Sequence, residues 1–135
     1  MPWPTGAAPG READWSVQFV HGTGQSTDAE LCFVLDRGAG GGRLGFVGSC
    51  LGLGLPAYTG ANGHRFVLPS CRALGFDSDG ARAVADSLAR SNLDRAYLTH
   101  YGALCGPEAI ASAARQVNAG LSEFEQAATQ AHCCE

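Results

Sequence analysis

The chain has 135 residues and a formal net charge of -4, with 13 acidic residues, 9 arginines and no lysine. This length fits one domain with a single core. Because phosphate binding needs clustered positive charge, the acidic balance excludes nucleic acid as the main partner. No apolar run approaches the roughly 20 residues that cross a bilayer, which excludes a membrane-spanning protein.

The two ends of the sequence carry no periodic pattern. Residues 1–14 mix Pro, Gly, Ala and charge, so we expect a poorly ordered lead-in, followed by a single domain over 15–131 and a frayed tail over 132–135. The N-terminus has no apolar signal core, which predicts a cytoplasmic protein whose six cysteines are reduced thiols. Cys133 and Cys134, beside His132, could bind metal or oxidise readily, but their position at the C-terminus favours a frayed tail.

The first half of the chain favours β-structure. Trp15, Val17 and Phe19 alternate with polar residues, as in a half-buried strand that ends at His21 and Gly22. Two apolar runs then predict a hairpin, and a further strand is predicted before Pro69. The runs are Leu31–Leu35, Leu44–Val47 and, for the further strand, Arg65–Leu68. The glycine-rich stretches at 38–42 and 52–63 are expected to be turns or loops, because glycine loses much backbone entropy on ordering.

The second half favours helices. Asp77 or Ser78 can cap a helix that ends near Ser91, a short strand is predicted over 96–99, and Pro107 opens a second helix. An apolar stripe at helical spacing predicts the core-facing side of this last helix. Its members are Ile110, Ala114, Val117, Leu121, Phe124 and Ala128. The order of elements predicts an α/β fold in which helices cover a sheet.

Three segments with polar residues follow predicted strands, where α/β proteins usually carry their sites. They are His21–Ser26, Phe46–Cys50 and Leu98–Gly102. Together and in this order they resemble the C-terminal portion of the metallo-β-lactamase fold superfamily, over roughly residues 17–130. The resemblance implies a partial αββα sandwich, of which this chain would supply the second half.

In that family the three segments carry metal ligands, which hold zinc or a similar cation that activates a hydroxide. The resemblance places Gln25, Ser49 and His100 at these ligand positions. An amide and a neutral hydroxyl are poor ligands compared with imidazole and carboxylate, and the family's upstream His and Asp cluster is absent. We therefore expect no cofactor and a degenerate or truncated relative without hydrolase activity on its own. The alternative is a zinc-dependent hydrolase whose missing ligands come from a longer chain or a partner.

Cysteine chemistry is a second alternative. Cys50 and the imidazoles of His21 and His100 could converge on a metal, or a thiol could act in redox or transfer chemistry. Cys32, within an apolar strand, is expected to be a small buried side chain. No local signature marks Cys50 or Cys105 as activated.

Half of a sandwich would leave the inner face of its sheet uncovered. We expect Phe33, Leu35, Phe46 and Val47 to include that face. Because exposure of apolar surface costs roughly 25 cal/mol per Å², the sequence predicts a homo-oligomer, a partner chain that covers the face, or a marginally stable protein.

Overall fold

The computed structural model describes residues 15–22, 30–38, 40–59, 65–71 and 75–132 of the chain. Within these residues the side chains of 30, 55–58 and 132 are not described. The predicted lead-in over 1–14 and the Cys133–Cys134 pair lie outside the described residues.

The described residues form seven strands and two helices. The strands are β1 (Ser16–Gly22), β2 (Glu30–Asp36), β3 (Arg43–Phe46), β4 (Leu53–Thr59), β5 (Arg65–Leu68), β6 (Arg95–Leu98) and β7 (Gly102–Cys105), and the helices are α1 (Ser78–Arg90) and α2 (Pro107–His132). Five strands make one sheet in the order β1-β2-β3-β6-β7, and β4 pairs with β5 in a separate two-stranded sheet. The chain is therefore a mixed α/β protein, as predicted.

The hairpin and both helix starts predicted from the sequence are confirmed. β2 and β3 pair antiparallel, with Phe33 opposite Phe46. The carboxylate of Asp77 accepts a hydrogen bond from the amide of Gly80, which caps α1, and α2 begins at Pro107. These elements were predictable because their signals are local.

Two strands were not predicted. β4 lies inside the glycine-rich stretch that we expected to be a loop, and β7 follows β6 after a three-residue turn. β4 is held by β5, with Leu53 opposite Leu68, and β7 by β6, with Leu98 opposite Gly102. Tertiary pairing therefore overrides the weak local preference of both segments.

The predicted stripe on α2 is correct for its first four members and wrong for the last two. Ile110, Ala114, Val117 and Leu121 are buried, whereas Phe124 is 46% exposed. Ala128 is exposed as well, because α2 continues past the core and every residue from 123 to 131 is exposed.

The core lies on one side of the five-stranded sheet. Cys32, Val34, Ala96 and Leu98 point from the sheet into a cluster that also contains buried residues of α1 and α2. Val47 belongs to this cluster and is fully buried, so its predicted place on the uncovered face is wrong. The opposite face of the sheet carries the alternate residues of each strand.

Candidate functional site

Three strands of the large sheet end at the same edge. β1 and β3 are both antiparallel to β2, and β3 is parallel to β6, so β1, β3 and β6 run in one direction. Beyond the strands, the amide of Val47 donates to the carbonyl of Tyr97 at 3.0 Å, and that of Thr99 donates to Gly48 at 3.1 Å. The structure thus brings the segments after β3 and β6 side by side, with the end of β1 along the same edge.

The predicted ligand positions differ in their surroundings. His100 is exposed in the turn between β6 and β7. Ser49 is buried, at 7% exposure, and lines a small cavity formed against α1 and α2. Gln25 lies outside the described residues.

Among the described residues, no three His, Cys, Asp or Glu side chains are grouped so that they could hold a metal ion. The predicted convergence of Cys50 with His21 and His100 is therefore wrong. Cys50 points toward Cys32 on the helix-facing side of the sheet. His21 is exposed, opposite Leu31 on the other side. The sheet separates the thiol from this imidazole.

The two thiols on the helix-facing side lie close together. The sulfurs of Cys32 and Cys50 are 3.3 Å apart, and both residues are buried. Burial of Cys32 confirms its predicted place in the core. Cys71 and Cys105 are exposed, and partial burial raises the pKa of the Cys71 thiol, which favours its protonated form.

Tyr101 anchors the turn that carries Ser49 and Cys50. Its hydroxyl donates a hydrogen bond to the carbonyl of Leu51 at 2.9 Å, and the residue is 7% exposed. The guanidinium of Arg65 donates to the carbonyl of Tyr101 at 2.8 Å, which holds β5 against the turn between β6 and β7. Tyr101 follows His100 in the sequence, so its hydrogen bond links the turn that carries His100 to the turn that carries Ser49 and Cys50.

We expect Tyr101→Phe to destabilise the protein and to change how its stability depends on pH. Burial raises the pKa of Tyr101 from 10.0 to about 12, against a smaller opposite effect of Arg65. The neutral phenol is therefore favoured in the folded state, so its contribution is complete below pH 10 and is lost as the pH rises from 10 toward 12. The carbonyl of Leu51 also loses its donor, which costs about 1–3 kcal/mol.

Urea unfolding of both proteins between pH 8 and about pH 12 checks this. The difference in the free energy of unfolding between wild type and Tyr101→Phe is expected to shrink above pH 10. A difference that stays constant through this range contradicts the assignment.

The face of the sheet opposite the helices is lined by apolar side chains, and we call it the apolar face. Its members are Val17, Phe19, Leu31, Phe33, Leu35, Leu44, Phe46 and Tyr97. Not one of these eight side chains is buried. Phe19, Leu31 and Val17 are 65%, 57% and 50% exposed. The predicted uncovered face is thus present at Phe33, Leu35 and Phe46, which are partly exposed.

An aromatic row crosses this face. Phe19, Phe33, Phe46 and Tyr97 lie opposite one another on four neighbouring strands. The rings of Phe33 and Phe46 stack with centroids 4.7 Å apart, and those of Phe46 and Tyr97 at 5.1 Å. Such stacked pairs fix the side chains in one geometry, which makes the face a preformed surface.

The polar groups of the apolar face lie toward its margins. Arg95 on β6 is exposed, and a hydrogen bond to Tyr97 raises its pKa. Cys105 on β7 lies opposite Arg95, and His21 lies at the end of β1. No carboxylate is among the described side chains of this face.

The chain matches no protein-family model, no curated protein and no solved structure. Its resemblance to the metallo-β-lactamase fold therefore stays a prediction, as do the proposed ligand positions of Ser49 and His100. No helix within the described part of the chain is long and apolar enough to cross a membrane.

Sequence reasoning missed the aromatic row and the thiol pair. One signal for the apolar face was present, because Leu31–Leu35 is a continuous apolar run. Such runs are typical of strands covered on both faces. The thiol pair had no signal, since residues 32 and 50 are brought together only by the turn after β3.

Proposed function

We propose that this chain is a protein-interaction module that pairs through its apolar face with a second copy of itself, forming a two-layer sheet sandwich. The observation that carries the proposal is the row of Phe19, Phe33, Phe46 and Tyr97, which crosses four strands without being buried. A face-to-face pair would place helices on the two outer sides, giving the αββα layers that the sequence predicts.

The size of the apolar face supports association. Two strands of seven residues and two of four, at spacings of about 4.8 Å and 3.3 Å per residue, span roughly 350 Å² in plan. The side chains add relief, so the accessible area is larger. Monomeric proteins rarely expose contiguous apolar patches above a few hundred Å². The plan area is less than half of the roughly 800 Å² of accessible surface that each partner buries in a standard interface. We therefore expect a weak dimer of micromolar affinity.

The charge distribution supports a second copy as the partner. Each chain carries a net charge of -4, but the described side chains of the apolar face include no carboxylate, so two copies can meet there without opposed acids. A two-fold axis through Phe33 would bring the two aromatic rows together. Arg95 lies two strands away from β2, at the rim of such an interface, where its guanidinium group would stay solvated.

The interaction module also fits the family prediction. Ser49 stands where the resemblance puts a bridging carboxylate, and a buried neutral hydroxyl cannot neutralise metal cations. We propose that the chain is a degenerate relative of metallo-β-lactamase-fold hydrolases that retains the half-sandwich and has lost the reaction. The end of β1 and the turns after β3 and β6 still share one edge, which is the feature that favours the hydrolase alternative.

Sedimentation of matched variants tests the proposal. Phe19→Asp puts a carboxylate inside the interface, one strand from Phe33, at a side chain that is 65% exposed, so we expect the isolated fold to tolerate it. Gln18→Asp adds the same charge to the neighbouring exposed position on the other side of β1. Burial of an unpaired carboxylate costs several kcal/mol, so we expect Phe19→Asp to weaken dimerisation by more than about a hundredfold and Gln18→Asp to leave it unchanged.

The experiment uses a reducing agent, because Cys105 is exposed at the margin of the same face. Wild-type protein at tens of micromolar should approach twice the chain mass of 13.9 kDa, and Phe19→Asp should stay at one chain mass. A wild-type chain that remains monomeric at these concentrations refutes the proposal, and so does equal dissociation of both variants. Stoichiometric bound metal that is lost in His100→Ala would favour the hydrolase alternative.

A further inference from the structure

The buried pair of Cys32 and Cys50 is a candidate modification site. Cys32 lies on β2 and is fully buried, and Cys50 lies in the turn after β3 at 7% exposure. Their sulfurs are 3.3 Å apart, which is hydrogen-bond distance for two thiols. Eighteen positions separate the two residues in the chain, so the contact is tertiary.

The local backbone explains why the thiols meet. After β3 the chain turns, with the amide of Cys50 donating to the carbonyl of Val47 at 3.0 Å and that of Gly52 to Ser49 at 2.8 Å. The turn places Cys50 on the helix-facing side of the sheet, where Cys32 also points. The hydroxyl of Tyr101 fixes this turn at Leu51.

We propose that Cys32 and Cys50 form an intramolecular disulfide when the protein meets a small-molecule disulfide of the glutathione type. The thiolate of Cys50, the more accessible of the two, attacks the small disulfide and releases one small thiolate. Cys32, as a thiolate, then attacks the sulfur of Cys50 and expels the second. The two protein thiols lose two protons and two electrons, and the small disulfide becomes two thiols. This inference is independent of the proposed dimer.

The cysteines outside this pair have different surroundings. Cys71 and Cys105 are exposed, and Cys133 and Cys134 lie outside the described residues. Exposed thiols form mixed disulfides with the same reagent, and each of these adds the mass of the small thiol, whereas the internal disulfide only removes two hydrogens from the chain. Mass spectrometry therefore distinguishes the two products.

Peptide mapping of the full chain gives a direct test. Trypsin cleaves after arginine, which puts Cys32 in fragment 12–37 and Cys50 in fragment 44–65, while Cys71, Cys105 and the C-terminal pair fall in other fragments. After incubation of the folded protein with oxidised glutathione, we expect fragments 12–37 and 44–65 to be linked and to separate on reduction. Cys50→Ser should abolish the link, and the control Cys105→Ser should leave it intact.

A second measurement keeps the inference testable where a variant folds poorly. The disulfide closes a loop of about 18 residues, so oxidation of the wild-type chain should raise Tm by roughly 5–10 °C. A link between these fragments that appears only in denaturant, or a principal link that involves another cysteine, overturns the assignment. An unchanged or lowered Tm of the linked protein also counts against it.

Discussion

Replacing Gly52 with alanine is expected to lower the free energy of unfolding by about 3 kcal/mol or more. Gly52 has a φ of +80°, where a side chain costs roughly 1–2 kcal/mol. An added Cβ would also lie 2.3 Å from the carbonyl oxygen of Leu68 and 2.8 Å from a methyl carbon of Val67. Because the nearest atom belongs to the backbone of β5, relief requires movement of the strand, and overpacking of this kind costs about 1–3 kcal/mol.

Gly40 offers a matched control for the cost of a side chain at positive φ. Its φ is +85°, and an added Cβ would meet no atom within 4 Å. Gly40→Ala should therefore show the left-handed cost alone, about 1–2 kcal/mol. Urea unfolding of both variants separates the two contributions. Equal losses in the two proteins would show that the close contact with Leu68 does not matter.

Gly52 matters for the candidate site because it lies two residues after Cys50, at the end of the turn that carries Ser49 and Cys50. Its close approach to β5 therefore helps to place that turn. β5 is held in turn by Gln116 of α2, whose side-chain oxygen accepts from the amide of Val67 at 3.0 Å and whose nitrogen donates to Arg65 at 3.1 Å. The turn is thus fixed from β5 on one side and from Tyr101 on the other. These tertiary contacts act together with the positive-φ glycine that ends the turn.

Local patterns were sufficient to predict most of the fold. Alternation placed β1, two apolar runs placed β2 and β3, and capping residues placed the helix starts at Asp77 and Pro107. Each of these signals acts over a few residues, which is the range that sequence reasoning covers well. The burial of Cys32 followed from its position in an apolar strand.

Features that depend on pairing at long range could not be predicted. β4 contains Gly52's neighbour Leu53 and the small residue Gly54, and it becomes a strand because β5 and Tyr101 pack on it. The aromatic row requires the register of four strands, of which β3 and β6 are separated by β4, β5 and α1. The prediction for Val47 is wrong because Val47 directly follows Phe46, and neighbouring residues of a strand point to opposite sides of the sheet. One residue reverses the side on which a strand side chain points.

The apolar face joins the fold to the proposed function. The helices cover one side of the sheet, where Leu88, Leu93 and Ile110 are fully or almost fully buried, and the same sheet presents stacked rings on its other side. A sheet that is apolar on both sides needs a cover on each of them, and within one chain the helices cover only one side. Dimerisation through this face would complete the burial, so loss of association should also lower thermal stability at high protein concentration.

Gly54 provides the second large effect on stability, and unlike that of Gly52 it is expected to be reversible by a second substitution. A Cβ on Gly54 would lie 2.6, 2.7 and 3.0 Å from three ring carbons of Tyr101. The ring is held by the hydrogen bond of its hydroxyl to Leu51, so it cannot move away without losing that bond. We expect Gly54→Ala to cost about 2–3 kcal/mol, through strain at the ring and partial loss of the hydrogen bond.

A double-mutant cycle with Tyr101→Ala measures the cause directly. Tyr101→Ala alone should cost about 3–5 kcal/mol, because it removes a buried ring and leaves a cavity. In that background Gly54→Ala should be nearly neutral, since its methyl group would enter space that the ring has vacated. The expected coupling energy is therefore about 2 kcal/mol, measured by urea unfolding of the four proteins. Additive losses would mean that the strain at Gly54 arises elsewhere, and that Tyr101 does not hold β4 and the Ser49–Cys50 turn together.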